Sequence, residues 1–433
     1  MLNETIEING MPYVPGVVRG KLGRDLEGDL SQQVIIVRQT EISRIATLPA
    51  GFIVVSGAPF SHSMIGLLGM GVPTVIVSEQ QARSLRDVEE VVLDGGRGHI
   101  TSDLAGAASS ERICPAVVSP GPLETADGAP VHLLASVRNT AAAKLARTAG
   151  AEAVGLVRSE FCVPEHGSEP DRLFFRRAFG ELCEAAAPLE VTIRLLDVAA
   201  DKMPPWLPKT ETAGGVLGFQ GARLFGEAAV RRVLEAQLRA INELGNHYRL
   251  RILVPYLVRL EEARYWVREV RRHVPDTVPI GVMAETPASV LDMGNWFEDV
   301  DFVAIGCNDL MQCLFAADRD CPGLHHYLDP FAPLLFRFLR DIARQAGPRL
   351  RRLQLCGVLP QLPGILPVLL GLGYRTFSVE ATSLPSMAQT VRRIDMVSAS
   401  RLAAQVCAAT ESRQVLELLG LPARDHRSYV EPL

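Results

Sequence analysis

Three kinds of residue in this 433-residue chain stand where they could do chemistry. The first is His62, in GAPFSHSMIGLLGMGVPTVIV at 57–77, where a Gly-Ala-Pro loop delivers Ser61-His62 to an apolar helix stopping at Gly71. The positive end of a helix dipole disfavours imidazolium, and neutral imidazole is the nucleophilic form. A helix N-terminus also welcomes a phosphoryl group once attached. Capping or core packing is the commoner role for such a histidine, and both readings stay open. The second kind is Glu285 in VMAETPAS and Asp309 in GCNDL. These hard oxygen ligands suit a Mg²⁺ that keeps water or substrate oxygens in its other positions. Thr286 beside Glu285 equally reads as a helix cap ahead of Pro287. The third is a set of arginines, Arg158, Arg194 and Arg319, whose forks match phosphate or carboxylate as a lysine cannot. Only four of the 44 basic residues are Lys, so most of the 40 Arg must simply serve the surface. A Mg²⁺ with several Arg would suit a small, highly anionic substrate and a phosphoryl group in transfer.

Two regions must position these groups. From about 10 to 105 the apolar runs are short: VIIV at 34–37, FIVV at 52–55, TVIV at 74–77 and VEEVVLDG at 88–95. They predict a small β-rich α/β unit. The polar, Pro-rich stretch from Thr101 to about Ala129 fits a linker with one returning strand. From 131 onward strands alternate with helices. Strands are expected at 131–137, 153–158, 190–196, 251–257, 279–284, 301–306, 352–357 and 375–379, with helices such as 139–149, 227–243 and 260–273 between them. Eight such units in about 290 residues predict a (β/α)₈ barrel, with an open doubly wound sheet as the alternative. The expected division is 1–108, a linker at 109–129 and a barrel at 130–425. Barrel active sites lie at the C-terminal strand ends. There the sequence puts Arg158, Arg194, Asp197, Glu285, Asn308, Asp309 and Cys356.

Composition narrows the function classes. A net charge of -5 without blocks of like charge argues against a basic nucleic-acid surface. No apolar run approaches membrane-spanning length, and MLNETIEING has acids where a signal peptide has basic and apolar residues. Eight cysteines without a Cys-x-x-Cys pair read as reduced thiols, and a cytoplasmic location is expected.

The motifs GLVRSEF at 155–161, IRLLDVAADK at 193–202, IGVMAETPAS at 280–289, AIGCNDLMQ at 304–312, ADRD at 317–320 and CGV at 356–358 occur in one order, together with the Ser-His loop. In them the chain resembles the phosphoenolpyruvate-utilising family, most closely enzyme I of the bacterial sugar phosphotransferase system. The resemblance implies a swivelling phosphohistidine domain followed by a TIM barrel that binds phosphoenolpyruvate. It implies that His62 is phosphorylated by phosphoenolpyruvate. Arg158, Arg194 and Arg319 would grip substrate, assisted by Asn308 and Asp309. Glu285 and Asp309 would hold Mg²⁺, and Cys356 would protonate the enolate to give pyruvate. A homodimer through the barrel is implied by the family alone.

The sequence also departs from the family. Enzyme I proteins insert a helical domain that docks a phosphocarrier protein; here GKLGRDLEGD runs directly into QQVIIVRQTE. No ATP-grasp domain of the dikinase kind fits either, so the phosphoryl acceptor is expected in trans. A subunit of a split dikinase or synthase and a non-catalytic phosphoenolpyruvate sensor are the alternatives. Phe60 and Cys307 stand where relatives carry threonine, Gln220 replaces an arginine, and Val358 a glutamate. Losing one hydrogen-bond donor at the phosphate would cost roughly 2–4 kcal/mol in the transition state.

Overall fold

The computed structural model describes residues 5–45, 47–104, 122–162, 164, 167–199, 203, 204, 206, 207, 215, 217–321 and 324–421, with Ser43, His62 and His325 described by their backbone. In the N-terminal part eight strands form one sheet: β1 Glu7–Asn9, β2 Met11–Val14, β3 Val17–Gly23, β4 Gln33–Arg38, β5 Gly51–Val55, β6 Thr74–Val77, β7 Glu90–Asp94 and β8 His99–Thr101. Their order is β1-β8-β7-β3-β4-β5-β6-β2, with β3 to β6 parallel. The central strands read as unbroken apolar runs because both faces are covered. Val34, Ile36, Ile53 and Val55 face α2 (Glu79–Ser84), whereas Ile35, Val37, Phe52 and Val54 join the core containing Met64, Leu67 and Leu68 of α1 (His62–Met70).

The stretch PYVPGVVRGKL at 12–22 is divided between β2 and β3, which lie at an edge and inside the sheet respectively. The break is at Pro15-Gly16, where Gly16 has φ +140° and a Cβ would stand 2.7 Å from the Pro73 ring. The three-residue strands β1 and β8 carry too few residues for periodicity to reveal them. Residues 24–32 join β3 to its parallel neighbour β4, so the described chain has no helical insertion there.

The second part is a closed parallel barrel. In chain order it runs β9 His132–Val137, α3 Thr140–Thr148, β10 Ala153–Arg158, α4 Arg172–Ala186, β11 Val191–Arg194, α5 Ala228–Leu244, β12 Leu250–Leu257 and α6 Leu260–Arg271. It continues with β13 Ile280–Ala284, α7 Pro287–Trp296, β14 Phe302–Gly306, α8 Cys307–Leu314, α9 Pro333–Ala346, β15 Leu353–Cys356, α10 Ile365–Gly371 and β16 Thr376–Glu380. Helices α11 Leu384–Arg393, α12 Met396–Ala408 and α13 Ser412–Leu418 follow. β16 pairs with β9, which excludes the open sheet. All eight expected strands are present, and β16 runs one residue further, to Glu380.

Alternation along each strand sends one set of side chains outward onto the helices and the other into the lumen. Leu156, Leu253, Met283, Phe302, Ala304 and Cys356 fill that lumen as a separate apolar cluster. The barrel is therefore a packed core and not a pore, and Gln354, buried two residues before Cys356 on β15, satisfies its amide on Gly155 O at 3.2 Å. Of the expected linker, residues 109–121 lie outside the described residues. The rest is fastened to the barrel: Ala126 N–H donates to Ile394 O at 2.8 Å, and Met396 N–H to Asp127 at 3.0 Å.

Candidate active site

The same alternation builds the barrel mouth. Arg158 ends β10 and Arg194 ends β11, and the two are register partners, so both guanidinium groups enter from adjacent strands. Cys356 ends β15 between Gly306 and Ser378. Because α8 starts straight after β14, Asn308 and Asp309 occupy its first turn. Glu285 follows β13, and Thr286 caps α7, accepting from Ser289 N–H as the second reading of that motif expects. Arg319 is positioned by its own N–H, which donates to Gln312 Oε1 at 3.0 Å.

Seven of the eight barrel candidates, Arg158, Arg194, Glu285, Asn308, Asp309, Arg319 and Cys356, line one cavity of about 60 Å³, and Asp197 lies behind them, paired with Arg194. A water needs roughly 10–15 Å³ by the same measure. The space suits a small metabolite rather than a nucleotide.

The charges are arranged as a network. Arg194 is buried and paired with Glu160 and, at 3.0 Å, with Asp197. Burial alone would lower its pKa; Asp197, Glu160, Glu285 and Asp309 override that and raise it well above the usual value. Arg319 bonds Asp309 at 3.2 Å, and Arg158 bonds Glu380 at 3.0 Å. Asn308 accepts from Val358 N–H at 3.0 Å, which spends the backbone group of one unusual residue on orienting a cavity amide. Glu285 accepts from Tyr256 N–H at 3.2 Å. Tyr256 has φ +49°, a conformation that costs of order 1–3 kcal/mol and concentrates at functional sites. Gly306 is required beside Glu285, since a Cβ there would lie 2.4 Å from Oε1.

Glu285 and Asp309 fit a divalent cation as two hard oxygen donors on one cavity wall. Among the described residues no group of three or more His, Cys, Asp or Glu is arranged to hold a metal. A cation here would therefore complete its shell with substrate oxygens and water, as Mg²⁺ commonly does.

Cys356 is buried, and burial pushes its thiol up to about 12, with Glu285 acting in the same direction. It stays protonated at neutral pH, the state a proton donor requires. Two outcomes follow. Iodoacetamide at mildly alkaline pH should leave Cys356 unmodified in peptide mass spectra of the folded protein, because the thiolate is the reactive form. The folded thiol titrates above its ordinary value of 9.0, so its contribution to stability is complete below about pH 9 and lost as pH rises towards 12. Rapid alkylation would contradict both.

His62 opens α1, and Ser61 caps the helix by accepting from Met64 N–H at 3.4 Å. The His62 side chain lies outside the described residues. The helix itself lies against the barrel mouth. Thr382 Oγ1 donates to Leu68 O at 2.6 Å, and Arg138 Nη2 to Gly66 O at 3.3 Å. Ile65, one turn from His62, lines the same cavity as the seven barrel residues.

Sequence reasoning missed Glu160, Tyr256 and Glu380. Glu160 stands inside the RSEF motif used for Arg158, and Glu380 is the inward position of β16 just past the expected strand end. A two-residue periodicity count carried one step further finds Glu380. Of the unusual residues, Phe60 is buried in the core with α1, and the Cys307 thiol points to Ile305 O at 3.7 Å.

Residues 116–396 match the family model described as PEP-utilising enzyme, PEP-binding domain. Residues 30–98 match the one described as PEP-utilising enzyme, mobile domain. The chain is 28% identical over 392 residues to multiphosphoryl transfer protein 2 of Escherichia coli K12, covering 85% of this chain and 47% of that protein. It is 30% identical over 378 residues to the phosphoenolpyruvate-protein phosphotransferase of Streptomyces coelicolor, covering 85% and 67%. It is 28% identical over 394 residues to the protein of that name from Haloferax volcanii, covering 86% and 68%. The chain thus spans about half the length of the first relative and about two thirds of the other two.

Proposed function

The chain belongs to the PEP-utilising enzyme family, and we propose that it moves the phosphoryl group of phosphoenolpyruvate onto His62, releases pyruvate, and passes the phosphate to an acceptor in trans. One observation carries this reading: the helix that begins with His62 rests on the mouth of the cavity where the barrel's arginines, carboxylates and thiol converge. Arg158, Arg194 and Arg319 hold the phosphate and carboxylate of the substrate. The α8 N-terminus, with Asn308 and Asp309 in its first turn, adds a positive dipole end. Glu285 and Asp309 would hold Mg²⁺, which supplies charge neutralisation at phosphate oxygens when bound. The imidazole of His62 attacks phosphorus, the N–P bond forms and the P–O bond to the enol oxygen breaks. The enolate carbon then takes the Cys356 proton to give pyruvate, and the thiol regains a proton from solvent.

The acceptor is a protein histidine or a small metabolite. The short β3–β4 connection supports an acceptor on another chain. A cytoplasmic homodimer formed through the barrel belongs to the same reading. Intact-protein mass spectrometry after mixing with Mg²⁺ and phosphoenolpyruvate tests it. The expected result is one acid-labile phosphate per chain with one pyruvate released. Phosphoenolpyruvate binding without mass gain would overturn the transfer and leave a sensor. Phosphate uptake only from an ATP-charged partner would make this a subunit of a split dikinase.

A further inference from the structure

We propose that Arg138 and Thr382 are positioning residues that seat α1 on the barrel mouth, with Gly69 supplying the space their approach requires. The proposal rests on the reading that His62 takes phosphate from the cavity. Arg138 follows β9 and Thr382 lies two residues beyond β16, the neighbouring strands at which the barrel closes. Both reach main-chain carbonyls of α1: Arg138 Nη2 that of Gly66, at mid-helix, at 3.3 Å, and Thr382 Oγ1 that of Leu68, in the last turn, at 2.6 Å. A carbonyl oxygen has two lone pairs, so each contact adds to the helix's own bonds, and the one to Leu68 O sits beside the Gly71 cap N–H at 3.3 Å. A cation along the C-terminal half also meets the negative dipole end.

Gly69 makes the fit possible. A Cβ on it would stand 1.8 Å from Arg138 Nη2 and 3.3 Å from Glu380 Oε2. Any side chain at this position takes the place of the guanidinium. Glu380 also holds Arg158, so the seat and the cavity share a wall. Arg138, Thr382 and Gly69 do not line the cavity. They act on where α1 stands, not on the reacting atoms.

The test compares full-length variants. Gly69→Ala improves helix propensity, so a folding defect would have the opposite sign to what is expected. The melting temperature should hold or rise, while single-turnover transfer from phosphoenolpyruvate falls about tenfold, the loss expected of one charged hydrogen bond. Affinity for phosphoenolpyruvate by calorimetry should stay unchanged. Arg138→Ala should lose the same factor and the double variant no more, because both remove one contact. Gly66→Ala leaves its carbonyl in place, and its Cβ meets no atom within 4 Å, so it should transfer like the parent. An additive hundredfold loss in the double variant, or equal losses in Gly66→Ala and Gly69→Ala, would overturn the proposal. Small-angle scattering separates it from the functional reading. A parent that takes up no phosphate, with a larger radius of gyration in both Gly69→Ala and Arg138→Ala but not in Gly66→Ala, sinks the function and keeps the seat. Unchanged scattering and unchanged transfer in every variant sink the seat.

Discussion

His62→Ala is expected to abolish phosphate uptake and the matching single-turnover release of pyruvate. The replacement removes the nucleophile that the proposed transfer requires. A positioned group has an effective concentration of about 10⁵–10⁸ M over its free counterpart, so the loss should be about 10⁵-fold or more. Little structural disturbance accompanies the change. His62 is the first residue of α1, the Ser61 cap remains, and alanine is a better helix former. The Met64, Leu67 and Leu68 packing that holds α1 to its sheet is untouched. The measurement is a quenched single-turnover assay with pyruvate counted per chain. One equivalent of pyruvate released by the variant at the parent rate would show that the phosphoryl group never passes through this histidine.

Arg194→Met should be the other severe change, and it acts on stability and chemistry together. Arg194 is buried against Glu160 and Asp197, with Glu285 and Asp309 adding to its field. Its removal leaves these carboxylates in a confined space without their common counter-charge. Breaking one side of a buried ionic network costs about 3–5 kcal/mol. At roughly 2–4 °C per kcal/mol for a large domain, the melting temperature should fall by on the order of 10 °C. Transfer from phosphoenolpyruvate should fall at least about 10³-fold, as when a preorganised donor at a developing charge is removed. Arg194→Lys should recover little of either. One ammonium cannot reach two carboxylates and a substrate oxygen with the geometry of a planar fork. Parent-like melting of Arg194→Met would mean that the carboxylates are neutralised by something other than this guanidinium.

Much of this protein is legible in the order of its amino acids. Each barrel strand is an apolar run of near-fixed length, and strand ends are where a (β/α)₈ barrel keeps its chemistry. Spacing alone therefore puts Arg158, Arg194, Glu285, Asn308, Asp309 and Cys356 at one face. The Ser61 cap, the α1 start at His62 and its stop at Gly71 are equally local, set by a hydroxyl and by a φ of +66°. These features depend on neighbours a few residues away, which a linear reading sees.

What only the tertiary structure decided depends on partners brought together by closure. Arg158 and Glu380 are separated by 222 residues, and their pairing exists because β16 returns to β9 and completes the ring. The acids that gather around Arg194 come from the ends of different strands. Buried charges must be neutralised locally, but nothing in their sequence spacing says which acid will do it. The seat of α1 on Arg138 and Thr382 is further still from sequence logic. It uses main-chain carbonyls, which every residue possesses, and so leaves as its only trace a glycine where a side chain would not fit.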